Sequence, residues 1–253
     1  MKVSVAPLLM HIVTTRGGGQ PNHRDTIKLK RSIKLNNTLL DILLKDLNSN
    51  LLDGETTCRA SKSIAKDHEN IYGNSIPLNR GFGRRIDLLL STRNIELSTN
   101  EWKRKKVTQE QCLIQQAKNI RMNKAILSRL LELPLSENDS KNVYTLGMDW
   151  VGPRGYMFAV KKINNIHIAK HTNNLSIPEY LHQLPSFIAT LKNLYIWKNH
   201  HTKLQDTILT GVIAKEDDDF LLSIASGTDD TGSASKELSP NIYLTPTKAK
   251  KNN

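Results

Sequence analysis

The stretch IDLLLSTRNIELSTNEWKRKK, residues 86–106, decides the fold because it contains two strand patterns separated by a turn. The run from Ile86 to Leu90 is apolar except for Asp87, STRN indicates a turn, and IELSTNEWK returns as a second strand. This pattern predicts a β-hairpin. A charge at the edge of a buried strand is unfavourable unless something uses it, so the acidic residues of this hairpin are candidates for function.

The alternation of side chains along a strand predicts which residues meet. One face of the second strand carries Ile95, Leu97, Thr99, Glu101 and Lys103. Antiparallel pairing returns Asp87 to the same edge of the sheet, so the hairpin gathers two carboxylates and an ammonium. Two carboxylates are hard oxygen ligands that suit Mg²⁺ or Mn²⁺, and a neighbouring lysine can orient a water or stabilise charge on a phosphate. Such a set of residues therefore suits metal-dependent chemistry on a phosphate.

The residues Asp87, then Glu101, Trp102 and Lys103 after a fourteen-residue spacing, resemble the core motif of the PD-(D/E)xK nuclease superfamily. The resemblance covers about residues 25–170 and implies a mixed central sheet flanked by helices, of the restriction-endonuclease type. It also implies that the chain cleaves nucleic acid, with DNA favoured over RNA, using Mg²⁺. By position, Asp87 and Glu101 would be metal ligands, and Lys103 would be the catalytic lysine.

Three further features bear on this resemblance. Members of the superfamily often place a polar residue on the helix after the motif, where Gln116 and Lys124 are the candidates. Ile86 stands where the family has the proline of its motif. The acid that many members carry on the first helix has no single equivalent, and the conceivable positions are Asp41, Asp46 and Glu69. The position of a second metal therefore stays open.

An alternative interpretation makes Glu101 structural. Ser98 and Glu101 fit the S-x-x-E capping box, in which the strand would end near Leu97 and NEWKRKK would open a helix. The glutamate would then reach back to the helix N-terminus and would bind no metal.

The charge of the chain favours a polyanionic partner. Its 36 basic and 24 acidic residues give a net charge of +12, and such a field attracts phosphate backbones. The basic residues beside the predicted site are candidates for nucleic-acid binding: Arg84, Arg85, Arg104, Lys105 and Lys106. The alternative to a nuclease is a non-catalytic module of the same fold that binds nucleic acid or protein.

The remaining patterns predict an α/β or α+β domain. Residues 25–47 predict an amphipathic helix, and residues 48–81 predict a loop with a short helix or strand.

Thr108 and Gln111 begin a long helix that reaches residue 133 before Pro134, with a core-facing stripe of Leu113, Ala117, Ile120, Leu127 and Leu131. Residues 143–171 predict three short strands, with turns at Gly152–Gly155 and Asn164-Asn165. A last helical region spans about 176–210; it starts near Pro178, is interrupted at Pro185 and packs through Phe187, Leu191, Leu194 and Trp197.

The domain prediction follows from these patterns. Residues 1–24 form an irregular segment, residues 25–215 the nuclease-like domain, and residues 216–253 a disordered acidic and polar tail. Cys58 and Cys112 do not make a disulfide framework, the histidines lack zinc-site spacing, and no apolar run spans a bilayer. We therefore expect an intracellular protein without a membrane partner.

Overall fold

The computed structural model describes residues 50–53, 57–72 and 86–225, which form one six-stranded sheet with helices on both faces. The elements in chain order are β1 Asn50–Asp53, α1 Arg59–Tyr72, β2 Leu88–Thr92, β3 Ile95–Lys103, α2 Gln109–Leu130, α3 Glu137–Asn142, β4 Thr145–Val151, β5 Arg154–Ile163, β6 Ile166–Ser176 and α4 Leu184–Ala225. The strands lie in sequence order, and only the β3–β4 pair is parallel. The predicted class, a mixed sheet flanked by helices, is confirmed.

The predicted hairpin is present as β2 and β3. Arg93 and Asn94 connect the strands and both have positive φ, at 42° and 66°, which is the backbone of a two-residue turn that follows the twist of the paired strands. Because β3 continues through Glu101 to Lys103, Glu101 lies in a strand and not at a helix N-terminus. The alternative interpretation of Ser98 and Glu101 as a capping box is therefore wrong.

Helix α2 carries the chain from β3 to the parallel strand β4. It begins at Thr108, whose side chain accepts a hydrogen bond from the backbone N–H of Gln111, while the Gln111 side chain accepts one from the Thr108 N–H. This reciprocal cap confirms the predicted helix start. The regular helix ends at Leu130, a few residues earlier than predicted.

The predicted apolar stripe of α2 is wrong in its first half. Leu113 is 57% exposed, and Ala117 is also exposed. From residue 115 to residue 123, the buried side chains are the amides of Gln115, Asn119 and Asn123, together with Met122. These amides recur every four residues, so they share one face of the helix. Apolar packing takes over in the second half, where Ile126, Leu127 and Leu130 are buried.

Amide hydrogen bonds join α2 to the sheet. Asn119 accepts a hydrogen bond from the Thr99 hydroxyl at 2.8 Å, and Asn123 donates to the Thr99 carbonyl oxygen at 3.0 Å. A β-carbon at Gly147 would lie 2.7 Å from Phe158 Cζ and 2.9 Å from Asn123 Nδ2. The absence of a side chain at Gly147 therefore allows this close approach of helix and strand.

Helix α4 covers the opposite face. Neighbouring residues of β3 point to opposite faces; Thr99 meets α2, whereas Ser98 lies 2.8 Å from Nε2 of His201 on α4. Trp197, which is fully buried, donates from Nε1 to the carbonyl oxygen of Leu146 at 3.0 Å. The predicted packed face of α4 is confirmed, since Phe187, Leu191, Leu194 and Trp197 are all at most 3% exposed.

The boundaries of α4 differ from the prediction. Strand β6 continues to Ser176, and the helix begins at Leu184, so Pro185 lies in its first turn instead of interrupting it. A proline is compatible with that position because the first helical N–H groups have no intrahelical partner. The helix ends at Ala225, so residues 216–225 are helical and the predicted start of the tail is wrong.

Some predictions fall on other parts of the chain. The helix predicted for 25–47, the segment 1–24 and residues 226–253 lie outside the described residues, as do Asp41 and Asp46. Within the described ranges, no helix is both long enough and apolar enough to span a bilayer.

Candidate functional site

Asp87 and Glu101 lie near each other at one end of the β2–β3 hairpin. Leu88, the first residue of β2, pairs with Asn100, and the chain bends at Asp87 just before it. The Asp87 charge reaches the Glu101 carboxyl, because it adds to the rise of the Glu101 pKa. The backbone N–H of Trp102 donates to Oδ2 of Asp87 at 2.7 Å, which fixes Asp87 against the strand that carries Glu101.

Glu101 is a buried acid with an ion-pair partner. Its residue is 2% exposed, and Nζ of Lys118 on α2 lies 2.6 Å from its Oε1. Burial raises the pKa of Glu101 to about 7; the Lys118 ammonium opposes this rise, the Asp87 charge adds to it, and the Lys103 charge opposes it. Asp87, Lys103 and Lys118 therefore all lie within electrostatic range of the Glu101 carboxylate.

Lys103 is the exposed last residue of β3, two positions after Glu101 and on the same face. Its carbonyl oxygen accepts a hydrogen bond from the Gly152 N–H at 2.8 Å. Gly152 has φ +58°, and a β-carbon there would lie 2.9 Å from Cβ of Lys105. The β4–β5 turn is thus held against the strand end that carries Lys103.

A third acid, Asp149, extends this row across the sheet but is engaged by other side chains. It pairs with Glu101 in the parallel β3–β4 register. Asn119 and Gln115 donate to its Oδ1 at 2.8 Å and 3.3 Å, and the hydroxyl of Tyr156 donates to its Oδ2 at 2.8 Å. Burial raises the pKa of Asp149, although these hydrogen bonds oppose the rise. Asp149 therefore holds α2 and β5 together beside Glu101.

The two supporting residues predicted on α2 lie elsewhere on the helix face. Gln116 is close enough to the Tyr156 hydroxyl to influence its ionisation. Lys124 lies six residues, or about 9 Å of helix, beyond Lys118, and its pKa is lowered by burial. Lys118, which the sequence analysis did not select, is the α2 lysine that reaches Glu101.

The basic run after β3 is exposed at Arg104, Lys105 and Lys106. Lys105 forms an ion pair with Glu179 at 3.0 Å, so part of its charge is already neutralised. Arg84 and Arg85 lie outside the described residues. Arg104 and Lys106 are exposed as well and, within the described residues, form no ion pair.

Asp87 and Glu101 are the two carboxylates that could hold a divalent cation at this site. Among the described residues, no three His, Cys, Asp or Glu side chains form a group that could hold a metal. Asp87 accepts a hydrogen bond at Oδ2, and Glu101 accepts one at Oε1. Among the described residues, no group donates a hydrogen bond to Oδ1 of Asp87 or to Oε2 of Glu101. A cation that keeps several waters needs only one or two carboxylates, as Mg²⁺ does. The mutual repulsion of the two acids also favours a cation between them.

A buried amide adds to the polar character of this region. Oε1 of Gln115 is buried without a hydrogen-bond partner in the described part of the chain, although Nε2 of the same side chain reaches Asp149. Such unsatisfied acceptors are uncommon in folded proteins.

Sequence reasoning missed Lys118, Gln115 and Asp149. The sequence could have indicated Asp149 in the same way as Asp87, because it is an acid within an apolar strand, TLGMDWV. The amides at 115, 119 and 123 were a second signal, since a four-residue polar repeat predicts a buried polar helix face. No local sequence pattern indicates Lys118, because its contact with Glu101 depends on how α2 is rotated over β3.

Compared with protein-family models, curated proteins and solved structures, the chain shows no match.

Proposed function

We propose that the protein is a Mg²⁺-dependent or Mn²⁺-dependent nuclease that hydrolyses phosphodiester bonds of nucleic acid at Asp87, Glu101 and Lys103, with a fold of the PD-(D/E)xK, restriction-endonuclease type. The observation that carries the proposal is that the charges of Asp87, Glu101 and Lys103 lie near one another at one end of the hairpin. The Asp87 charge adds to the rise of the Glu101 pKa, and a cation bound by both carboxylates would relieve this repulsion.

Asp87 and Glu101 would hold the cation, which when bound supplies Lewis-acid activation of a water and of the phosphate. The chain prepares both ligands. The Trp102 N–H orients the Asp87 carboxylate, and the Lys118 ammonium holds Glu101 and lowers its pKa against the effect of burial. Lys118 is therefore a positioning residue in this account.

Lys103 would act on the substrate. Its ammonium lies at the exposed end of β3 near Glu101, where it can orient a water or stabilise negative charge that develops on the phosphate. Arg104 and Lys106 extend the positive surface along the chain and would contact the flanking phosphates, which position the substrate. The net charge of +12 adds attraction from a distance.

A specific observation favours the second candidate, a non-catalytic nucleic-acid-binding module. Lys118 already neutralises Glu101 through an ion pair of 2.6 Å, so the carboxylate has a partner without any metal. In this case the same basic surface would bind phosphates, and Asp87 and Glu101 would only stabilise the hairpin.

Cleavage assays separate these two functions. Single-stranded and double-stranded DNA and RNA would be incubated in Mg²⁺ or Mn²⁺ with the parent, Asp87→Asn, Lys103→Met and the control Lys106→Met. Asparagine keeps the acceptor for the Trp102 N–H and removes only the charge.

A nuclease should lose at least about 100-fold in rate in Asp87→Asn and Lys103→Met, whereas Lys106→Met should weaken substrate binding without lowering the maximal rate. Equal inactivity of all four proteins with retained binding would favour the module.

A further inference from the structure

A groove lies at the turn end of the β2–β3 hairpin, away from the end that carries Glu101 and Lys103. Its volume is about 460 Å³, and its walls come from α1, the start of β3, the C-terminal end of α2 and α4. Four apolar side chains line it, namely Ile95, Ile126, Leu133 and Val212. The groove therefore has room for several aliphatic side chains and an apolar floor on which they can pack.

The α4 wall of this groove is acidic. Lys215, Glu216 and Asp219 line the groove. They belong to the sequence KEDDD, residues 215–219, which is exposed throughout and carries four acidic side chains against one basic. Arg59 and Arg129 also line the groove, but Arg129 is already paired with acids of α1 and α2. A basic occupant with an apolar face would complement this wall.

The chain enters the sheet close to the groove. Strand β1 begins at Asn50, which pairs with Ser91 of β2, and Ser91 pairs with Glu96 of β3. Because neighbouring strands lie about 4.8 Å apart, Asn50 is about 10 Å from Glu96, and Glu96 lines the groove. Leu47 precedes Asn50 by three residues, which can span about 10 Å. A segment that ends at Leu47 can therefore reach the groove.

Residues 25–47, the predicted amphipathic helix, have the apolar face and the charge that the groove requires. Leu40, Leu43, Leu44 and Leu47 follow the i, i+3, i+4, i+7 spacing of a single helix face. The basic side chains of the segment are Lys28, Lys30, Arg31, Lys34 and Lys45, and the acidic ones are Asp25, Asp41 and Asp46. Five basic residues against three acidic ones give the segment a net charge of +2, opposite in sign to the α4 wall.

We infer that residues 25–47 of the same chain bind in this groove as a helix, with the leucines of the last two turns on its apolar floor. The segment from a second copy is the competing occupant. The short connection to Asn50 favours the same chain, because it keeps the leucines beside the groove at a high effective concentration. Ile95 lies six residues from Glu101 along β3, or about 20 Å, so the inference does not depend on the proposed nuclease activity.

Photocrosslinking of the full chain tests the inference. Benzoylphenylalanine would be incorporated at Lys215, which is exposed and lines the groove. A control protein would carry it at Lys203, which is exposed on the same helix outside the groove. After irradiation, electrophoresis separates cross-links within one chain from those between two chains, and mass spectrometry identifies the residues that are joined.

Two double variants of the Lys215 protein complete the experiment. Leu43→Ser/Leu44→Ser changes the apolar face, whereas the matched control Leu39→Ser/Ile42→Ser changes two apolar residues away from the centre of that face. Circular dichroism would verify that each variant is folded.

The Lys215 protein should form a cross-link to residues 36–47 of its own chain, and the Lys203 protein should not. Leu43→Ser/Leu44→Ser should reduce the yield at least about fivefold, because it removes two side chains from the apolar contact, whereas the control variant should keep the yield of the parent. Cross-links that join two chains would overturn the inference and assign the groove to self-association. It would also be overturned by the absence of a cross-link to residues 36–47, by an equal yield from Lys203, or by equal losses in the two double variants.

Discussion

At the residue scale, Glu101 is the side chain on which the proposed site depends. It is buried, it lies within electrostatic range of Asp87, and its only ion pair in the described structure is with Lys118. Burial disfavours the charged form, and the ion pair restores it only in part, since the pKa stays at about 7. Glu101 therefore binds a proton near neutral pH unless a cation takes its place.

This protonation predicts how stability depends on pH. The ordinary pKa of Glu101 is 4.5 and the folded value is about 7, so between these values the folded protein binds more protons than the unfolded chain. The free energy of unfolding contributed by this group is fully present below about pH 4.5 and is lost as pH rises through about 7. The span corresponds to on the order of 3 kcal/mol.

Urea unfolding between pH 4 and pH 8, in EDTA, measures this dependence. The parent should lose stability relative to Glu101→Gln as the pH rises, since glutamine keeps an acceptor for Lys118 but does not titrate. Parallel curves for the two proteins would show that the Glu101 carboxylate is not held in the buried environment described.

The positions of Asp87, Glu101 and Lys103 could be predicted because strand alternation and hairpin pairing are local rules. These rules place the three residues at the same end of the β2–β3 hairpin, as observed. The contacts of Lys118 and Asp149 could not be predicted in this way. They depend on the rotation of α2 and on the parallel register of β3 with β4, which are set by packing between segments distant in sequence.

At the element scale, α2 and α4 show two different ways of covering the sheet. The first half of α2 packs through amides that bond to the Thr99 backbone and to Asp149, so it makes the polar wall of the site. Helix α4 packs through apolar side chains and through Trp197, and its buried His201 is neutral because burial lowers the pKa of that residue to about 3. We therefore expect α4 to stabilise the sheet and α2 to shape the site.

Adjacent residues of α4 test this division. Trp197 is fully buried, whereas its neighbour Ile196 is 54% exposed. Trp197→Ala should destabilise the protein by about 3–5 kcal/mol, and it should also leave the Leu146 carbonyl oxygen without its donor. Ile196→Ala should change stability by less than about 0.5 kcal/mol.

Thermal and urea unfolding measure both variants, and Trp197→Phe should recover most of the loss because it refills most of the volume. Similar effects of Trp197→Ala and Ile196→Ala would mean that α4 does not pack on the sheet through this face.

The element boundaries also show what sequence patterns can predict. The capping pair Thr108 and Gln111 correctly marked the start of α2, because its signal lies within four residues. The start of α4 was misplaced because Pro178 and Pro185 are both compatible with a first helical turn. The apolar stripe of α2 was misplaced because a helix over a polar site buries amides, and a rule based on hydrophobic spacing excludes them.

At the scale of the whole molecule, the sheet lies between α2 and α4. The polar site lies between α2 and the ends of β2, β3 and β4. The fold class could be predicted because a hairpin, a helix and further strands in series define a mixed sheet with flanking helices. The lengths of β5 and β6 could not, since long strands of this kind are fixed by packing between segments distant in sequence.

The central claim is that Asp87 and Glu101 form a divalent-cation site, and Mn²⁺ binding measured by electron paramagnetic resonance tests it most directly. The variants Asp87→Asn and Glu101→Gln remove one charge each with little change in shape. Glu96→Gln is the matched control, because Glu96 is a buried acid of the same strand that accepts hydrogen bonds from the N-terminus of α1. The parent and Glu96→Gln should bind Mn²⁺ equally, and both site variants should bind it at least about tenfold more weakly, a loss of about 1.4 kcal/mol. Equal Mn²⁺ affinity in the parent and in Asp87→Asn would contradict the claim.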